Sequence, residues 1–272
     1  MVLAGWLALL PLQAAAALML HPTRIVFDKN LRAAQAELVN SGSETVTYRI
    51  SLVNRRMNEV GEFSDANPPL PGERFAEEML RYSPRQVVLA PGASQTLRIQ
   101  LRKPADLAPG EYRSHLLFTQ IQDAVAPPSA APSAAASGAD PGLAIRLTPL
   151  INTSIPVIVR QGVLEATAAL ANLRVEPATA DRPPAALLDI RREGERSLYG
   201  DLVVTLVPAG GGAEQPLARA SGVAVYVPNA LRKVRIVLPP SPPLTGGTLH
   251  VVFQERPEDG GKPLAEARLP LR

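Results

Sequence analysis

Residues 86–101, QVVLAPGASQTLRIQL, contain two short apolar-rich runs on either side of a turn. The second run, Thr96–Leu101, alternates polar and apolar side chains, which is typical of a strand with one face in a core. Between the runs, Pro91 and Gly92 favour a tight turn, because proline fixes φ and glycine accepts positive φ. The stretch therefore predicts two neighbouring β-strands joined by a short turn.

The same pattern recurs on both sides of this stretch. Strand-like runs precede and follow it at 24–27, 34–38, 45–53 and 111–121, with turns at 40–43 and 108–110. Turns between short alternating runs are typical of a β-sandwich. Only Phe75–Tyr82 predicts a helix, and a brief one. A second strand-rich region runs from Val163 to Leu271.

Composition excludes several classes of protein. The chain has 272 residues, 46% of them hydrophobic, and 28 prolines, so it can bury cores but has little room for long helices. With no cysteine it has no disulfide, thiolate metal site or cysteine nucleophile. Its net charge of +3 does not favour nucleic-acid binding. The histidines are far apart in the sequence, at His21, His115 and His250, and no catalytic or phosphate-binding motif is present. We therefore expect no metal, no cofactor and no enzyme activity.

The N-terminus and one internal segment interrupt the strand pattern. Residues 2–20 carry no charge and include an alanine run, which predicts a signal peptide at 1–17 and export to a bacterial periplasm. A membrane anchor is the alternative interpretation. In 124–140, 15 of 17 residues are Ala, Pro, Ser or Gly, which predicts a mobile loop. We expect one domain at 18–160, with this loop before its last strand, and a second at 161–272.

The run after the loop has an unusual apolar row. Its odd-numbered positions are apolar, whereas Arg146, Thr148 and Asn152 lie on the opposite face. Such a strand can be added to a partner's sheet, with its row entering the partner's core. The alternative is an ordinary closing strand that packs only on its own sandwich. The candidate row consists of Leu143, Ile145, Leu147 and Ile151, interrupted by Pro149.

Four motifs occur in order around this row: Thr23–Phe27, Arg81–Gly92, Gly110–Leu116 and Ser154–Arg160. Together they resemble the PapD-like periplasmic chaperones of the chaperone–usher pathway over about residues 21–162. The resemblance implies an all-β chain of two immunoglobulin-like sandwiches arranged as a boomerang. It also implies that the last strand of the first domain is donated to an incomplete pilus subunit.

The resemblance carries over to a few individual residues. It implies that Arg24 anchors the subunit's C-terminal carboxylate, since a guanidinium can grip both oxygens. The family's second anchor is usually a lysine, but Pro156 stands at that position here. Arg113 is a candidate substitute, and Arg160 fits an arginine at the domain junction. Pro149 and Pro156 both depart from the family pattern, which indicates a divergent branch.

The leading expectation is thus a periplasmic chaperone that holds pilus or fimbrial subunits without a cofactor and delivers them to an outer-membrane usher. Such a protein could also cap its own donor strand by forming a dimer. The competing hypothesis is an exported immunoglobulin-like structural or adhesive protein. A periplasmic hydrolase is a third and remote one, because no catalytic constellation is present.

Overall fold

The computed structural model describes residues 18–121, 152–210, 212–240 and 246–271. In these ranges the chain consists of strands and two single-turn 3-10 helices, Glu77–Met79 and Pro257–Asp259, so the prediction of an all-β chain is confirmed. No helix in the described ranges is long and apolar enough to cross a membrane. The predictions for the signal peptide at 1–17, the loop at 124–140 and the row of Leu143, Ile145, Leu147 and Ile151 lie outside the described residues.

The first half of the chain forms one sandwich. Its strands are β1 (Leu18–His21), β2 (Ile25–Phe27), β3 (Ala33–Asn40), β4 (Val46–Val53), β5 (Arg55–Met57), β6 (Phe63–Asp65), β7 (Leu80–Ser83), β8 (Gln86–Leu89), β9 (Ser94–Leu101), β10 (Gly110–Ile121) and β11 (Thr153–Gln161). One sheet has the order β1-β3-β9-β7, and the sheet facing it has the order β2-β11-β10-β4-β8. β5 and β6 form a separate hairpin.

Burial in the first sandwich follows the alternation in the sequence. In β9 the side chains of Leu97, Ile99 and Leu101 are buried, and those between them are exposed. The predicted helix at Phe75–Tyr82 is wrong in its second part, where Leu80–Ser83 is a strand. Leu80 and Tyr82 alternate with exposed neighbours and pair with β9, so burial of one face outweighs the local helical preference.

The second half forms another sandwich with its own core. Its strands are β12 (Ala166–Glu176), β13 (Ala185–Gly194), β14 (Leu198–Val207), β15 (Gln215–Val225), β16 (Leu231–Val237), β17 (Gly247–Gln254) and β18 (Pro263–Leu271). They form sheets of order β12-β13-β16 and β15-β14-β17-β18. The core between them is built around Leu188, Leu202, Leu249 and Phe253.

Strand β11 is held on both sides. It is antiparallel to β10, from Gly110 opposite Gln161 to Phe118 opposite Thr153. On its other side it is parallel to β2. Its odd-numbered side chains Ile155, Val157 and Val159 point into the first core. β11 therefore fixes the position of β2, and of Arg24 directly before β2, at the end of the first sandwich that faces the second sandwich.

A hairpin and a small apolar cluster connect the two halves. Met57 and Ile158 from the first half pack with Ala224 and Tyr226 from the second. At the tip of the β5–β6 hairpin, the carbonyl of Glu59 accepts a hydrogen bond of 2.7 Å from the backbone N–H of Lys233. Their side chains form an ion pair at 2.6 Å. The hairpin therefore fastens the first sandwich to β16 of the second.

Candidate functional site

A cleft of about 360 Å³ lies between the two sandwiches. It is formed by the residues around β2, the end of β11, the start of β14 and the segments that follow β17. Its charged lining residues are Arg24, Asp28, Arg160, Arg196, Glu255 and Asp259, and Tyr199 also lines it.

The strand register places Arg24 beside Pro156. The parallel ladder pairs Ile25 with Val157 and continues toward the C-terminus. One step back along both strands brings Arg24 next to Pro156. The same register extended forward places Asp28 next to Arg160, and these two side chains form an ion pair at 3.5 Å. The position at which the family resemblance implies a lysine is therefore the immediate neighbour of Arg24.

Arg24 is a buried cation without a hydrogen-bonding partner on two of its nitrogens. Its Nε and Nη2 atoms are buried and donate to no partner among the described residues. The guanidinium lies over the ring of Tyr199 at 4.4 Å from the ring centroid. Burial lowers the pKa of Arg24, against an opposing contribution from Tyr226, and the charge of Arg160 lowers it further. Because unpaired buried charge is costly, such a group is poised to bind an anion.

Arg160 is already paired within the protein. Its Nε donates to Glu111 Oε2 at 3.1 Å, and Glu111 is its cross-strand neighbour on β10. Glu111 also accepts hydrogen bonds from Ser197 of the second half, through the backbone N–H at 3.2 Å and through the hydroxyl. Arg160 thus belongs to a polar contact between the sandwiches, with its charge balanced by Glu111 and Asp28.

Arg113 lies behind the cleft. The described residues that line the cleft do not include it, and the residue is only 8% exposed. Its guanidinium stacks on Tyr226 at 4.1 Å and donates to the carbonyl of Arg55 at 3.1 Å. Burial lowers the pKa of Arg113, against an opposing contribution from Tyr226. In this structure Arg113 adds positive charge near Arg24 but does not reach the cleft surface.

Sequence reasoning missed the wall of the cleft that the second half provides. Arg196 and Ser197 lie in the connection between β13 and β14, and Tyr199 is the second residue of β14. No motif marks these residues, and the family resemblance ends near residue 162. Only packing of the two sandwiches brings them opposite Arg24.

The described residues include no cluster of His, Asp and Glu that could hold a metal ion. His115 is buried on β10, and neither of its ring nitrogens has a hydrogen-bond partner among the described residues. Its ring lies edge-on to Phe63 of the hairpin at 5.2 Å. Burial, aided by the charges of Arg113 and Arg55, lowers the pKa of His115 to about 3.

Comparisons with known proteins give similar structures only. No protein-family model matches the sequence, and no curated protein matches it. The chaperone DraB of Escherichia coli is similar over 95% of this chain and 98% of its own, at 12% identity and a TM-score of 0.45. A chain of the CsuC–CsuE chaperone–tip adhesion subunit complex of Acinetobacter baumannii is similar over 94% and 98%, at 12% identity and a TM-score of 0.45. The CupB2 chaperone of Pseudomonas aeruginosa is similar over 93% and 100%, at 11% identity and a TM-score of 0.42.

Proposed function

We propose that this chain is an exported chaperone that holds incomplete pilus or fimbrial subunits by donating a β-strand. In this proposal the subunit's C-terminal carboxylate binds Arg24 in the cleft between the sandwiches. The protein works in the periplasm and passes its subunit to an outer-membrane usher. Its domains are 18–160 and 161–272, and no cofactor takes part.

The observation that carries the proposal is the environment of Arg24. A buried guanidinium with two unpartnered nitrogens faces a cleft between two sandwiches, beside the strand that would be donated. A terminal carboxylate matches this site, because its two oxygens can accept from one guanidinium in a bidentate pair. Tyr199 supports the guanidinium from the second half and limits the directions in which it can point.

The register of β11 supports the strand-donation step. Its odd-numbered row is buried in the first sandwich at Ile155, Val157 and Val159. The residues of the candidate row are also odd-numbered, so in an uninterrupted strand they would project to the same side as this buried row. They are Leu143, Ile145, Leu147 and Ile151. The described β10–β11 ladder ends at Phe118 opposite Thr153, three residues before the end of β10 at Ile121. In this proposal the row before Thr153 fills the core of the subunit.

Two variants of neighbouring residues test the strand donation. Leu147→Asp places a carboxylate on the apolar row, where it would enter the subunit without a partner, at a cost of several kcal/mol. Arg146→Asp changes the opposite face and should cost much less. The measurement is capture of the subunit that co-purifies with the wild-type protein from the periplasm, with circular dichroism to confirm folding.

The contrast between the two variants decides the outcome. Loss of capture by Leu147→Asp alone supports the proposal. Equal losses, or no loss for Leu147→Asp, would contradict strand donation by this segment. A wild-type protein that carries no subunit at all would favour the alternative, an immunoglobulin-like structural or adhesive protein. Size-exclusion chromatography of the free protein tests whether it caps its donor strand as a dimer.

A further inference from the structure

We infer that Arg196, supplied by the second sandwich, is the second cation of the carboxylate site. The inference rests on the proposed function and names a residue of the same cleft. It assigns to Arg196 the contact that a lysine at position 156 would otherwise make. The carboxylate would then be held from both sandwiches at once.

The cations of the first sandwich near the cleft, other than Arg24, are unsuited to this role. Position 156 is a proline beside Arg24 and offers no charge. Arg160 is engaged by Glu111 at 3.1 Å and Asp28 at 3.5 Å. Arg113 is buried behind the cleft and stacked on Tyr226. Of the arginines that line the described part of the cleft, Arg24 and Arg196 remain for a ligand.

Arg196 has an unused donor. Its Nε atom is buried and has no hydrogen-bond partner in the described ranges. No carboxylate in those ranges lies within ion-pair distance of it, although Glu255 and Asp259 line the same cleft. A buried guanidinium nitrogen without a partner gains most from an anion that enters from solvent.

The backbone at Arg196 is held in place by its neighbours. Ser197 donates to Glu111 of the first sandwich, and its hydroxyl accepts a hydrogen bond of 3.0 Å from the backbone N–H of Val227. The carbonyl of Arg196 accepts from Arg192 at 3.4 Å. The residue is therefore fixed at the contact between the sandwiches, which reduces the conformational entropy lost on binding.

The lining charges favour a singly charged anion over a more highly charged one. The arginines 24, 160 and 196 are matched by Asp28, Glu255 and Asp259, so the cleft has no excess of positive charge. One carboxylate can satisfy the unpartnered nitrogens of Arg24 and Arg196 with its two oxygens. A second negative charge would have no cation left to bind it.

Acetate is a probe for this site that requires no subunit. The full-length, ¹⁵N-labelled protein is titrated at constant ionic strength, and the Nε–Hε signals of the arginines are followed by NMR. Acetamide, which has a similar shape and no charge, is the control ligand. We expect saturable shifts at Arg24 and Arg196 with acetate and none with acetamide.

Three variants distinguish a specific contact between Arg196 and acetate from a general effect of the protein's charge. Arg196→Gln should weaken acetate binding about tenfold, or about 1.4 kcal/mol. Arg191→Gln removes an exposed arginine of β13 outside the cleft and should change nothing. Arg196→Lys keeps the positive charge, so its affinity for acetate should lie within about threefold of the wild-type affinity. This variant also provides the test if Arg196→Gln is unstable.

Each result has one meaning. Wild-type affinity in Arg196→Gln, or shifts confined to Arg24, overturns the assignment of Arg196 and leaves the proposed function standing. No saturable shift in the wild type overturns the anion site itself. Strand donation does not depend on either result, because the Leu147→Asp and Arg146→Asp pair tests it through subunit capture.

Discussion

Glu111 of the first sandwich accepts two hydrogen bonds from Ser197 of the second, from its backbone N–H and from its hydroxyl. The carboxylate is 2% exposed and also pairs with Arg160. A buried carboxylate needs such partners, because the charged form is otherwise poorly solvated. This contact holds together the two walls that carry Arg24 and Arg196.

Removing the hydroxyl should weaken this contact. Ser197→Ala leaves the buried Glu111 carboxylate with one donor fewer, and we expect a loss of about 1–3 kcal/mol in the free energy of unfolding. Urea denaturation followed by circular dichroism measures it. Ser94→Ala, at an exposed serine of β9, is the matched control and should have little effect. Equal stability of the two variants would show that the Ser197 hydroxyl does not support Glu111.

Loss of the Arg24 guanidinium should prevent subunit capture without unfolding the protein. Arg24→Ala removes the charge-assisted contact to the subunit's carboxylate, at a cost of about 2–5 kcal/mol of binding. Arg98→Ala removes an exposed arginine of β9 and should capture normally. Capture is measured by pull-down, and folding by circular dichroism. A folded Arg24→Ala protein that binds the subunit with wild-type affinity would show that Arg24 does not contribute to subunit binding.

The hairpin contact can be tested at one glycine. Gly61 has a φ of +88°, and a Cβ there would lie 1.7 Å from Arg232 Nη1. Gly61→Ala should displace the Arg232 guanidinium and strain the backbone at this positive φ, and the two effects together should loosen the hairpin tip. The sensitive readout is hydrogen exchange of the Lys233 amide, which donates to Glu59, and we expect it to become faster.

Gly92→Ala is the control for the hairpin. Gly92 also has a positive φ, of +71°, but a Cβ there meets nothing within 4 Å. The two variants share backbone strain and differ in the contact with the second sandwich. Equal exchange of the Lys233 amide in both variants would show that the Gly61–Arg232 contact does not hold the hairpin tip.

His115 should make stability depend on pH. Its pKa is about 3 in the folded protein and ordinary when unfolded, so the unfolded chain binds the proton first as the pH falls. Stability is then fully present above about pH 6.5 and declines toward pH 3, by as much as about 1.4 kcal/mol per pH unit. His115→Gln should flatten the decline between pH 7 and 4, measured by urea denaturation at each pH. Parallel pH profiles for the two proteins would rule out this role for His115.

The sequence predicts local features of the fold better than the cleft. Alternation and the Pro91-Gly92 turn are enough to predict β8 and β9, because burial of one strand face has a period of two. The helical interpretation of Leu80–Tyr82 failed because pairing with β9 decides that segment. The position of Arg24 follows from a motif near the start of the chain.

The opposite wall of the cleft could not be predicted in the same way. Glu111 and Ser197 are 86 residues apart in the chain. Neither residue type is unusual in its local sequence, and their contact exists only because two separately formed sandwiches pack together. The same applies to Arg196. It is a candidate because its Nε atom has no hydrogen-bond partner in the described structure, and its neighbours in the sequence do not indicate this.

The ladders on both sides of β11 have an evolutionary consequence. Thr153–Gln161 is fixed by β10 on one side, and its middle by β2 on the other, so substitutions there disturb the first sandwich. Among related genes, these nine positions should therefore accept fewer substitutions than the exposed positions of the same sandwich.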